Sequence, residues 1–138
     1  MKSRILLYVG SIVIFLLGVS HIVPTPGVVA GFEPITDENR LIITMEWVAE
    51  GLTLCFIGAL VLYITLGAGA ENPVSVMVYR AAAVMLLVMA IWTGVTGART
   101  SIIPIKLCPI VKTAVAITFI WASVLASRAY AKVRAQSG

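Results

Sequence analysis

Ile43-Thr44-Met45-Glu46-Trp47-Val48-Ala49-Glu50-Gly51-Leu52-Thr53 lies inside a long apolar run, and its reading decides the fold. Two carboxylates four residues apart stand one turn above the other on the same side of a helix. Both lie well past the last loop residue, Arg40, and a further apolar stretch follows them. Ionisable side chains at that depth are costly in lipid, so they turn towards a protein interior and take a partner or a task.

The rest of the chain is built to match. Hydrophobic residues are 60 % of the 138, and mean hydropathy is +1.05, against about 45–50 % apolar residues in soluble domains. Charged residues are 12 %, roughly half the usual share. A soluble core cannot use that much apolar surface, so the chain reads as one integral membrane domain. Its net charge of +4 comes largely from lysines and arginines at the ends of apolar runs, where they anchor helices to headgroups. No basic stripe interleaved with aromatics points to nucleic acid; the expected surroundings are a lipid bilayer.

The periodicity predicts an all-α, four-helix transmembrane bundle, antiparallel and up-down-up-down, with helices at about 5–23, 37–66, 74–98 and 110–127. Met1-Lys2-Ser3-Arg4 resembles the basic start of a signal peptide, but no small-x-small cleavage site precedes the Pro24-Thr25-Pro26-Gly27 break, which predicts a retained helix. Pro24, Pro26 and Pro34 argue against a regular helix up to Asn39, while Val28, Val29, Phe32 and Ile35 are too apolar for a free linker. A lid over one mouth of the bundle is expected. Thr36 then caps the second helix, with Asp37 and Glu38 in its first turn. A loop from Arg99 to Pro109 is expected before the fourth helix. Lys2, Arg4, Arg80, Arg128, Lys132 and Arg134 fall at one face, against Arg40, Arg99, Lys106 and Lys112 at the other. That bias predicts cytoplasmic termini, in a bacterial or archaeal inner membrane.

This topology gathers the polar residues into one leaflet, the outer one. Glu46, Glu50 and His21 are the candidate acid–base groups; Asn39, Trp47, Thr53, Trp92, Thr96, Arg99 and Lys112 are the candidate binding residues. Asn39 and Thr53 extend the acids into a polar stripe. Two carboxylates about 6 Å apart in low dielectric cannot both be charged cheaply. One keeps its proton, supplying an acid beside a base, or Arg99, Lys112 or His21 neutralises it in a structural ion pair. His21 is the only histidine, so no two-histidine metal or haem site exists in one chain, and no metal site is read from the sequence. Cys55 and Cys108 lie at different expected depths, which disfavours a disulfide or a thiol relay.

Phe15-Leu16-Leu17-Gly18-Val19-Ser20-His21, followed by a proline-containing loop, and Glu50-Gly51-Leu52-Thr53-Leu54-Cys55-Phe56-Ile57-Gly58 together resemble the DoxX-like group of small four-helix membrane proteins. There the first helix closes with a glycine and a basic residue, and a glutamate opens a Gly- and Leu-rich second helix. The resemblance covers residues 10–60 or so, and Glu46 and the length of the second helix depart from it. It implies membrane redox chemistry beside a quinone-using or thiol-handling complex, and it maps to His21 and Glu50 only.

Three functions from different classes follow. The first is acid–base chemistry on a lipophilic small molecule, as isomerisation, cyclisation, hydration or quinone handling; the residues themselves specify no cofactor beyond that quinone. The second is a proton-coupled carrier of a small organic cation, as a homo-oligomer. The third is a structural subunit of a larger membrane redox complex.

Overall fold

The computed structural model describes residues 2–97, 100 and 103–136. Its helices are α1 (Lys2–Ile22), α2 (Thr25–Ala30), α3 (Asp37–Gly67), α4 (Pro73–Thr96) and α5 (Ile103–Gln136). All but α2 are long and apolar enough to cross a membrane, and they pack as an antiparallel bundle. The protein is an integral membrane protein of the all-α class.

Helix ends follow local chemistry. The Thr36 hydroxyl accepts from the Asn39 backbone N–H at 3.2 Å and starts α3. The Asn72 side chain accepts from Val74 N at 2.9 Å and starts α4, with Pro73 in the first turn, where no N–H is needed. Gly69, at φ 85°, turns the chain between them, in a region that L side chains avoid.

Two expectations are corrected. The proline-rich connection is not wholly irregular: Thr25–Ala30 is a helical turn and a half, with Pro26 in its first turn, and it packs against α3. The fourth span begins well before residue 110, at Ile103, and carries Pro109 inside it. This proline removes one backbone donor near the helix start, a loss that a membrane helix tolerates, and Thr113 Oγ1 donates to the Pro109 carbonyl at 2.8 Å. Cys108 is therefore a helical core residue, 2 % exposed, and not part of a loop.

The core is a set of seven-residue stripes: Leu7 and Ile14 on α1, Leu54 and Val61 on α3, Tyr79 and Leu86 on α4, Phe119 and Ala126 on α5. Such spacing suits helices crossing at a shallow angle. Two tight pairs result, α1 with α3 and α4 with α5, joined where α1 meets α5. Between α3 and α4 the packing is sparse.

The α1–α3 pair is close because glycines let the backbones approach. A Cβ on Gly18 would stand 2.6 Å from both the Gly51 carbonyl oxygen and Cys55 Sγ, while one on Gly27 would meet nothing within 4 Å. Gly18→Ala is expected to destabilise by about 1–3 kcal/mol through overpacking, and Gly27→Ala to stay within about 0.5 kcal/mol of the parent. Thermal unfolding in detergent of the two variants side by side checks this; equal midpoints would contradict the close packing.

Candidate functional site

The site forms at the α2 end of the bundle, where three of the core stripes continue into a polar residue and α3 adds a fourth beside its own stripe. On α1 the series Leu7, Ile14 ends at His21; on α4, Tyr79, Leu86 leads to Thr93; on α5, Phe119 is preceded by Lys112, and Cys108 stands one turn earlier. On α3, Ile57 is preceded by Glu50. The same geometry that buries leucines therefore aims these groups inward.

Lys112 is the centre of charge. It is 0 % exposed, its ammonium is hydrogen-bonded to Glu50 Oε1, and it donates to Thr93 Oγ1 at 2.8 Å. Thr93 lies 3.5 Å from the same Glu50 oxygen. A buried ammonium is tolerated in lipid only with such partners. Lys112 thus belongs to the interior, not to the surface charges counted above.

His21 is held in one orientation. Its Nδ1 lies 3.0 Å from the Leu17 carbonyl, which can only accept, so Nδ1 carries the proton. The Trp47 ring stacks on the imidazole with centroids 5.0 Å apart, and its Nε1–H donates to the His21 carbonyl at 2.6 Å. Nε2 then faces Cys108 Sγ at 3.5 Å and Glu50 Oε1 at 3.9 Å. Cys108 Sγ is itself 3.9 Å from Glu50 Oε1. Among the described residues, every polar contact of Glu50 falls on Oε1.

Beside the cluster, a groove of about 470 Å³ runs along the sparse α3–α4 seam. Glu50 and Thr93 lie on it; Glu46, Trp47, Trp92 and Thr96 border it further out, and Phe32 after α2 reaches it. Glu50 is 26 % exposed, so the carboxylate that holds Lys112 is also open to the groove. Trp92 is 71 % exposed at the rim. Thr100 Oγ1, buried at the groove's end, has no hydrogen-bond partner among the described residues.

The acidic pair separates. Glu46 is exposed at the groove and makes no hydrogen bond or ion pair among the described residues. The stripe of Asn39, Glu46 and Thr53 is straight, but it marks the edge of α3. Asn39 is exposed near the helix start, and Thr53 Oγ1 bonds back to the Ala49 carbonyl at 2.8 Å. Glu50 is turned about 40° from Glu46 at 3.6 residues per turn, towards the core stripe. Arg99 lies outside the described residues. Thr93 and Cys108 are the site residues that sequence reasoning missed: Thr93 was legible as the continuation of Tyr79 and Leu86, and Cys108 as one turn before Lys112 on the same face.

Both cysteines are free; Cys55, deeper in α3, packs against Gly18 and donates to the Phe15 carbonyl at 3.6 Å, its one hydrogen bond among the described residues. The arrangement offers a carboxylate held by two donors, an imidazole nitrogen and a thiol, next to a groove wide enough for a small molecule. No family model, curated protein or solved structure matches this chain.

Proposed function

We propose that the protein binds a lipophilic small molecule in the α3–α4 groove and moves a proton on it with Glu50. The observation that carries this reading is a buried lysine–glutamate pair whose carboxylate also lies on a groove between two spans. An ion pair in a membrane core contributes little net stability compared with apolar packing, which favours a task for it. The apolar part of the ligand rests on Trp92, Phe32 and Ile42, and its polar head reaches Glu50, Thr93 and the Thr100 hydroxyl, which has no partner among the described residues. Glu50, paired with Lys112, is the base; the ammonium and the Thr93 hydroxyl are hydrogen-bond donors for an oxygen on which negative charge develops.

A quinone-type head group fits this chemistry: an alkyl C–H conjugated to its carbonyls gives its proton to the Glu50 carboxylate while the charge moves onto a carbonyl oxygen, and the DoxX-like resemblance, which maps to His21 and Glu50, supports that choice. Removing Lys112 from the surface charges strengthens the bias towards cytoplasmic termini, and so towards an outer-leaflet site.

Mass spectrometry of what stays with protein purified gently in nanodiscs tests the reading. One small lipophilic species is expected at near-stoichiometric amounts, and Thr96→Trp, which fills the groove without touching the cluster, should lower it at least about tenfold. Bulk lipids alone, in equal ratio for both proteins, would remove the groove as a binding site.

A further inference from the structure

His21 Nε2, Glu50 Oε1 and Cys108 Sγ lie within 4.8 Å of one another, and they combine the nitrogen, oxygen and sulfur donors that borderline metal ions take. We propose that these three atoms form a binding site for a divalent transition-metal ion of the zinc class. The inference goes beyond the proton-transfer reading and does not depend on it.

Distances support it first. Tetrahedral coordination with metal–sulfur bonds near 2.3 Å and metal–nitrogen and metal–oxygen bonds of about 2.0–2.2 Å needs donor–donor edges of about 3.4–3.6 Å. The observed edges are 3.5 Å from sulfur to nitrogen, 3.9 Å from sulfur to oxygen and 3.9 Å from nitrogen to oxygen. Closing them takes a few tenths of an ångström from each side chain.

Orientation supports it independently. A metal-binding histidine donates its other ring N–H to a carbonyl or carboxylate, which fixes the tautomer and aims the bare nitrogen. Here Nδ1–H points to the Leu17 carbonyl at 3.0 Å, and the stacked Trp47 indole holds the ring from the side. Cys108 and His21 are 2 % and 8 % exposed, so little water competes. The three ligands come from α1, α3 and α5, and the groove at Glu50 gives an ion a way in.

Lys112 does not block the site. When Oε1 takes the ion, the ammonium keeps its hydrogen bond to Thr93 Oγ1 at 2.8 Å, and the second carboxylate oxygen is an acceptor to which it can turn. Binding converts the Cys108 thiol to a thiolate: the sulfur–metal bond forms, the S–H bond breaks, and one proton leaves to bulk water. Affinity therefore rises about tenfold per pH unit while the thiol is the group that loses its proton.

The test is a Co²⁺ titration of tag-free, chelator-stripped protein in detergent. The expected result is one Co²⁺ per chain, with a thiolate-to-cobalt charge-transfer band that Zn²⁺ abolishes. Cys55→Ser, whose only remaining thiol is Cys108, should keep the band. Cys108→Ser should lose it while its helical circular dichroism is unchanged, and His21→Gln should weaken binding at least about 100-fold, more than typical outer-shell changes. No band in the parent protein or in Cys55→Ser, or a band that survives Cys108→Ser, would overturn the site.

Discussion

Glu50→Leu is expected to destabilise the protein by about 3–5 kcal/mol, because it leaves the Lys112 ammonium buried without its counter-charge. Lys112→Met should cost less, about 3 kcal/mol, since Glu50 is 26 % exposed and can take up a proton or water from the groove. The double variant should be more stable than Glu50→Leu alone, with a coupling of at least about 2 kcal/mol, because two apolar side chains replace two charges that needed each other. Unfolding of the four proteins in mixed micelles measures the cycle. Additive losses would mean that the pair is not formed in the membrane, and with it would go Lys112 as the partner that holds the Glu50 carboxylate.

The second large effect concerns chemistry. If Glu50 shuttles a proton, the protein should catalyse exchange of carbon-bound hydrogen between its bound lipophile and D2O, read as a mass shift of the co-purified compound. Glu50→Gln keeps an oxygen for Lys112 and Thr93 but removes the base, and the exchange rate should fall by about 10²–10⁴-fold. Glu46→Gln should change it less than about threefold, because Glu46 borders the groove without touching the cluster. Equal rates in the two variants would end the proton-transfer reading, whereas loss in Glu46→Gln alone would move the base one turn outward.

Much of the bundle was legible because long apolar runs with short breaks have few other solutions in lipid. Glu50 was legible as an ionisable group far from the nearest loop, and His21 as the only histidine, at the end of the first helix. What misled was punctuation. Pro109 reads as a helix start, although it sits within a helix that begins at Ile103, and that error moved Cys108 from the core into a loop. Glu46 and Glu50 look equivalent at four-residue spacing, yet the 40° between them is enough to put one beside the core stripe and the other at the edge of the helix face. Thr93 carries no signal as a residue type; only its distance from Tyr79 and Leu86 reveals it. Lys112 lies in the polar cluster, yet the sequence reading also counted it among the surface charges, since no sequence rule separates an anchoring lysine from a paired one.

The unequal packing of the four spans has a mechanical consequence. With α1 against α5 as the spine, the two tight pairs are like the covers of a book whose fore-edge is the α3–α4 seam. A small rotation about the spine changes the opening most at the fore-edge and leaves the glycine-tight contacts within each cover untouched. Glu50 and Lys112 stand on opposite covers, one on α3 and one on α5. Their ion pair is therefore a clasp, and whatever draws the proton or the charge away from it also loosens the binding.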